Sequence, residues 1–334
     1  MGRRTNLALL GLLAVAFATG WLGFAFGTAP ARWSLALHAA TGFGILLLLP
    51  WKSMVVRRGL RRPRVGRWAS LALAALVLAS LLGGLLHSTG LLRWWGPYTA
   101  MELHVGAALV AVPVAMWHVL ARRVRPRRTD LRRRALLRTG LLGAAAASGY
   151  LVSEGIVRLS GLPGAGRRFT GSYEVGSLIP DAMPVSSWMF DAVPAISVPD
   201  WSLRVATPRG VRTVTYEELT AHDDRLRAAL DCTGGFWSEQ DWAGVYLHRL
   251  VGEPAGAWSV RVVSGTGYDR RFPIAALPRL LLATRLGGQA LSPEHGFPAR
   301  LVAADRRGFW WVKWVVGIEL DQLPPWWQSP FPLQ

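Results

Sequence analysis

The chain has 334 residues, 51% of them hydrophobic, and a mean hydropathy of +0.26. That is too apolar for an ordinary soluble protein, and long enough for a membrane region plus one globular domain. The net charge of +18 is not a nucleic-acid signal, because 17 Lys and Arg balance 17 Asp and Glu from Leu162 onward and the excess lies upstream, between apolar runs, as membrane topology requires.

Runs able to cross a bilayer extend from Asn6 to Gly27, Trp33 to Trp51, Trp68 to about Leu92, Tyr98 to Ala121 and Thr139 to Val157. Lys52, Arg57, Arg58, Arg61, Arg62, Arg64 and Arg67 separate the second run from the third. Arg122, Arg123, Arg125, Arg127, Arg128, Arg132, Arg133, Arg134 and Arg138 follow the fourth. Both loops are expected in the cytoplasm, since the opposite connections carry only Arg32 and Arg93. Arg3 and Arg4 hold the N-terminus inside, so the C-terminal domain is expected outside, and no cleavable signal peptide is evident at the start. Arg133-Arg134-Ala135-Leu136-Leu137-Arg138, followed by a small, weakly apolar run, resembles a twin-arginine export signal placed internally; the same arginines also read as topology signals only.

Four histidines, His38, His87, His104 and His118, fall in these runs, where ionisable groups are costly and usually functional. At about 1.5 Å per residue, His38, His87 and His104 share a level roughly 8 to 10 Å inside the outer ends. His118 lies close to four turns beyond His104, on nearly the same face and nearer the cytoplasm. In an up-down bundle the second and fourth helices are diagonal, which makes His38 and His104 the expected axial pair of one outer b-type haem, with His87 as substitute. The inner level has no second histidine beside His118. The alternative is a haem-free anchor in which histidines mediate helix contacts.

After Leu162-Pro163-Gly164-Ala165-Gly166 the composition becomes that of a loop-rich soluble domain, α/β or mostly β. Alternation over Trp201–Val205 and Trp258–Val263 predicts half-buried strands. Thr215 with Glu218 three residues later predicts a helix start, and Leu277 to Leu286 predicts a second helix. Cys232 is the sole cysteine, so it is no cross-link. One reading makes it a small buried hydrophobe; the other, favoured by Gly234-Gly235 and by the flanking Asp231 and Thr233, makes its thiolate a ligand for a thiophilic metal. Further on, His295, Arg300 and Lys313 offer donors and positive charge around Gly296 and Gly308, a pocket for a phosphate-bearing ligand, or else ordinary surface charges and a turn cap.

The run from Asp231 through Leu320 resembles the molybdopterin-binding domain of sulfite oxidase-like enzymes, including the bacterial methionine-sulfoxide reductase catalytic subunit. In that family a cysteine followed by Trp-x-Gly-Val ligates molybdenum, and Cys232 precedes Trp242-Ala243-Gly244-Val245. The family's Pro-x-x-His-Gly-x-Pro-x-Arg stretch matches Pro293, His295, Gly296, Pro298 and Arg300, and its Lys-Trp matches Lys313-Trp314. The resemblance implies pterin and phosphate contacts by His295, Arg300 and Lys313, and a Tyr268 that lines the substrate pocket and takes part in catalysis; the other reading of Tyr268 is an ordinary strand-end tyrosine. Where sulfite oxidases carry Phe-x-Arg-Asn-His, this chain has Phe169-Thr170-Gly171-Ser172-Tyr173; Ser172 and Tyr173 are candidate cofactor contacts, while Gly171 replaces the arginine that holds an anionic substrate. A neutral sulfoxide or N-oxide therefore fits better than sulfite unless Arg167 or Arg168 compensates. The membrane half is similar to haem-b electron-transfer domains of bacterial oxidoreductases.

The expected architecture is an all-α transmembrane bundle of four helices (1–128) and a fifth anchoring helix (129–161), then an α+β sulfite oxidase-like molybdopterin domain outside the cytoplasm (162–334). The expected activity is two-electron oxygen-atom transfer on a small substrate, with electrons exchanged with membrane quinone or quinol through haem b. An electron-transfer protein is a further candidate partner, and nucleic acid is not. The rival readings are a sulfite-type dehydrogenase running the other way, a cofactor-free membrane-anchored binding protein, and a haem-only assembly subunit.

Overall fold

The computed structural model describes residues 2–60, 67–96, 98–121, 124, 127, 130, 133–186 and 191–329. Of the loop arginines named above, Arg61, Arg62, Arg64, Arg122, Arg123, Arg125, Arg128 and Arg132 lie outside the described residues. The chain divides into two compact units, Met1–Ser172 and Tyr173–Gln334.

Among the described residues, the first unit contains five helices long and apolar enough to cross a membrane: α1 (Gly2–Ala25), α2 (Ala31–Leu60), α3 (Arg67–Thr89), α4 (Ala100–Ala121) and α5 (Arg133–Leu159). α1 packs on α2, α3 on α4, and α5 on α2. Between α3 and α4 a two-residue ladder joins β1 (Trp94–Trp95) to β2 (Tyr98–Thr99). Thr99 then starts α4 as a capping box: its hydroxyl accepts from Glu102 N–H at 3.0 Å, while the Glu102 carboxylate accepts from Thr99 N–H at 2.7 Å. Two helices outrun their apolar segments. α2 continues through Pro50 to Leu60, and α5 starts at Arg133, because hydropathy marks the part of a helix that suits lipid rather than where its hydrogen bonding ends.

The second unit is α+β, built on two sheets. One has five strands in the order β5 (Gly210–Thr215), β4 (Ser202–Thr207), β13 (Val315–Asp321), β8 (Ser259–Ser264), β9 (Asp269–Pro273). The other has six: β11 (Gln289–Ala290), β10 (Leu280–Leu286), β7 (Phe236–Tyr246) and β3 (Tyr173–Glu174) form a path, with β12 (Arg300–Ala303) on β10 and β6 (Asp224–Asp231) on β7. The strands expected near Trp201 and Trp258 are β4 and β8. Thr215 caps the short helix α6 (Tyr216–Thr220) with a capping box through Glu218, and α7 (Leu247–Val251) follows β7.

The helix expected over Leu277–Leu286 is instead the end of a 3-10 turn, Ile274–Arg279, followed by β10. β10 pairs with β7 along one edge and β12 along the other, and its consecutive residues Leu280, Leu281, Leu282 and Ala283, which point to alternate faces of the sheet, are all buried, so the continuous apolar run belongs to an interior strand buried on both faces. Such a run has no period that separates it from a buried helix, and Pro278 favours the turn.

Candidate functional site

The hairpin between β6 and β7 carries the cysteine. Cys232 N–H donates to Phe236 O at 2.8 Å and Gly235 N–H to Cys232 O at 3.2 Å, closing a tight loop in which Gly235 takes φ +94°. Tyr173 N–H donates to Gly235 O at 2.9 Å, and β3 runs parallel to β7 beside Phe236, so Tyr173 flanks this loop. Ser172, in the helical unit, is buried, and its carbonyl accepts from Arg168 N–H at 2.9 Å.

Cys232 is 7% exposed, as the core reading required, but polar groups meet its sulfur. Gly234 N–H donates to Sγ at 3.3 Å, and Ser186 Oγ lies 3.2 Å from Sγ. Burial pushes the thiol pKa up, opposed by the Ser186 and Gly234 hydrogen bonds and by the Arg307 charge. Beneath the loop, buried Arg307 pairs with buried Asp231, Nε to Oδ1 3.3 Å, and donates through Nη2 to Cys232 O at 2.8 Å. Gly308 closes this side: a Cβ there would lie 3.2 Å from Cys232 Cα. The hydroxyl of buried Tyr268 donates to Phe309 O, one residue further, and burial raises its pKa. Tyr268 thus secures the Gly308–Trp310 turn behind the cysteine.

The second half of the site comes from the 292–300 loop and the approach to β13. Ser292 Oγ accepts from His295 N–H at 3.2 Å and meets His295 Nδ1 at 3.0 Å, which sends Nε2 toward Met183 O at 3.3 Å. Gly296 has φ +109°, and a Cβ on it would lie 3.2 Å from Arg300 Cβ, Lys313 Cβ and Lys313 Cγ. Its bare backbone therefore lets the two cationic side chains start from one corner. Trp314 ties that corner together, with Nε1–H donating to Pro293 O at 2.7 Å.

Arg300 is buried with its guanidinium 5.5 Å from the Trp242 ring centroid and 5.8 Å from that of Trp311. Nη1 donates to His295 O at 3.1 Å, and Nε is buried with no partner. Desolvation lowers its pKa to about 10. Lys313 Nζ donates to Ser186 O at 2.8 Å and Glu294 O at 2.6 Å; desolvation, then the Arg300 charge, bring it to about 7. Desolvation and Arg300 also lower His295. Among the described residues the hydrogen-bond partners of Arg300 and Lys313 are neutral carbonyls, with the Asp191 and Glu294 charges acting on Lys313 without a hydrogen bond, so the corner would accept an anion. An orphaned guanidinium nitrogen, a glycine cradle and a nearby thiol match a phosphate-bearing cofactor with a metal at its other end.

Sequence reasoning singled out Cys232, His295, Arg300 and Lys313; the last three share one corner, and Ser186 links it to Cys232. It missed Ser186, which touches both Cys232 and Lys313, and the Asp231–Arg307 pair.

Within the helical unit, the His38 and His104 ring centroids are 5.7 Å apart with planes at 86°. His38 Nδ1–H donates to Ala16 O at 2.8 Å and His104 Nδ1–H to Ser80 O at 2.6 Å, which leaves Nε2 of each for another partner. Gly20 and Gly84 lie against these rings, where a Cβ would come within 2.9 Å of His38 and 3.0 Å of His104. His87 differs: its Nε2 is bonded to Gly171 O at 2.8 Å. His118 Nδ1 lies 3.1 Å from Ser70 Oγ.

Residues 190–326 match the family model described as oxidoreductase molybdopterin binding domain. Among solved structures, the chain is similar to the sulfane dehydrogenase SoxCD from Paracoccus pantotrophus, with 24% identity and a TM-score of 0.37, covering 39% of this chain and 40% of that one. The chain therefore spans well under half the length of that structure. No curated protein matches it. The match to an oxidoreductase molybdopterin binding domain thus falls in the second unit.

Proposed function

We propose that the protein is a membrane-anchored, sulfite oxidase-like molybdenum enzyme that reduces a small neutral substrate, a sulfoxide or N-oxide, by two-electron oxygen-atom transfer, with electrons drawn from membrane quinol through haem b. The observation that carries this reading is the meeting of the Cys232 loop with the Arg300, Lys313 and His295 corner through Ser186. When bound, the cofactor supplies the metal and dithiolene at which an oxygen atom and two electrons are exchanged. Cys232 would hold the metal as its thiolate, and Gly234 N–H would fix the direction of the sulfur. Arg300, Lys313 and His295 would hold the phosphate, with Trp242 and Trp311 keeping water from the guanidinium. Tyr173 would flank the pterin. Tyr268 acts through the turn it secures.

Two further points support the finer parts. The arginine that grips an anion in sulfite oxidases is replaced by Gly171, and Arg167 is taken up by Glu154 and by Gly164 O at 2.5 Å, so it does not substitute. For the haem, His38 and His104, whose ring centroids are 5.7 Å apart, would be the residues that hold the iron. The carbonyl bonds to both Nδ1 atoms would leave Nε2 of each as the nitrogen able to ligate it. The helices cross the cell membrane with the second unit on the extracytoplasmic side, and Arg133-Arg134 acts as an internal twin-arginine signal, which lets the domain cross with its cofactor in place.

The test is a substrate panel on detergent-purified protein. Reduced viologen should be consumed with methionine sulfoxide, dimethyl sulfoxide or an N-oxide, and sulfite with ferricyanide should give no turnover. Sulfite turnover with an inert sulfoxide panel would instead favour the dehydrogenase.

A further inference from the structure

The segment Met183–Ser186 crosses the site and reaches three of its groups: Met183 O lies on His295 Nε2 at 3.3 Å, Ser186 O on Lys313 Nζ at 2.8 Å, and Ser186 Oγ on Cys232 Sγ at 3.2 Å. Either hydroxyl or thiol is able to donate in the last contact while the sulfur is protonated. A thiolate has no proton to give, so once Cys232 binds a metal the hydroxyl must be the donor. Sulfur then receives hydrogen bonds from Ser186 and from Gly234, the latter at 3.3 Å. The backbone of Ser186 is held in turn by the Lys313 ammonium, so the hydroxyl is fixed relative to the sulfur.

We propose that Ser186 is a positioning residue of the molybdenum site: its hydroxyl donates to the Cys232 thiolate, sets the rotamer of that sulfur, and withdraws charge from the sulfur–metal bond. The inference rests on the molybdopterin reading of the site. A hydrogen bond to a ligating sulfur lowers its donor strength, so the bond acts on the metal through the cysteine. Its neighbour Lys313 couples the same segment to the phosphate corner, which links cofactor seating to sulfur geometry.

The experiment compares the full-length wild type with Ser186→Ala and Ser186→Thr in detergent. The readouts are molybdenum per chain, the sulfur-to-molybdenum charge-transfer absorption band and the Mo(V) resonance. Ser186 is half-buried, and threonine keeps its hydroxyl while adding a methyl. Ser186→Ala is expected to shift the band to lower energy, because the sulfur becomes more electron-rich, or to lose metal; Ser186→Thr is expected to restore both wild-type loading and the wild-type band. Equal spectra and loading in all three proteins would overturn the role of Ser186. So would a threonine variant as altered as the alanine one, since the shape of the segment rather than its hydroxyl would then be what matters. A wild-type chain without molybdenum would overturn the underlying site instead, which separates the two failures.

Discussion

Replacing Asp231 by Asn tests whether the cysteine loop rests on a buried charge pair. The substitution keeps the shape of the side chain and removes only the charge opposite Arg307. The two side chains are 6% and 3% exposed, so solvent screening does not discount the pair. Removing one partner of a buried pair costs about 3–5 kcal/mol, because the other charge is left uncompensated. In a unit the size of Tyr173–Gln334 each kcal/mol moves Tm by about 2–4 °C, so the domain transition should fall by roughly 6–20 °C. Calorimetry of the full chain, with the transition assigned by proteolysis of the heated sample, measures this. The double variant Asp231→Asn, Arg307→Gln should lose less than the sum of the single losses, since the two residues share one interaction. A single-variant shift below about 2 °C would show that the pair does not support the loop and would refute the reasoning.

Lys313 gives a pH signature. Its folded pKa of about 7 lies below the ordinary lysine range, so without cofactor the folded domain holds a neutral amine above about pH 7 while the unfolded chain stays protonated to about 10.4. Stability of the cofactor-free domain therefore rises with pH across that window and is lost as pH falls toward 7. Phosphate binding needs the ammonium, so reconstitution with molybdopterin should weaken as pH rises through about 7. Lys313→Arg should flatten that dependence, and an equal slope in both proteins would contradict the assignment. Gly296→Ala should cost about 1–3 kcal/mol from its φ of +109° and lower molybdenum content by crowding Arg300 and Lys313, measured by Tm and metal analysis. His38→Ala and His104→Ala should each abolish a low-spin b-type spectrum, whereas His87→Ala and His118→Ala should keep it; loss of the spectrum in His87→Ala with retention in His38→Ala would reassign the axial pair.

The helices were legible because length and apolarity alone determine which segments suit a bilayer, and α6 was legible because its capping box is local. Leu277–Leu286 was misread because β10 is an interior strand, paired on both edges and buried on both faces, and that environment is set by distant parts of the chain rather than by the segment itself. Cys232, His295, Arg300 and Lys313 carried spaced motifs. Ser186 did not: it is an ordinary serine 46 residues from Cys232 and 127 from Lys313, and only the fold joins the three. Arg307 likewise reads as one more arginine in a basic chain until the bridge to Asp231 places it beneath the cysteine. Helix order and depth, which operate across a bundle without detailed packing, led to His38 and His104 as an axial pair; their ring centroids lie 5.7 Å apart.

The most direct measurement is metal analysis of the detergent-purified full-length protein alongside its reduced-minus-oxidised absorption spectrum. The account predicts molybdenum near one per chain, lost in Cys232→Ser, together with a b-type haem signal. A folded wild-type protein with neither molybdenum nor haem would contradict it.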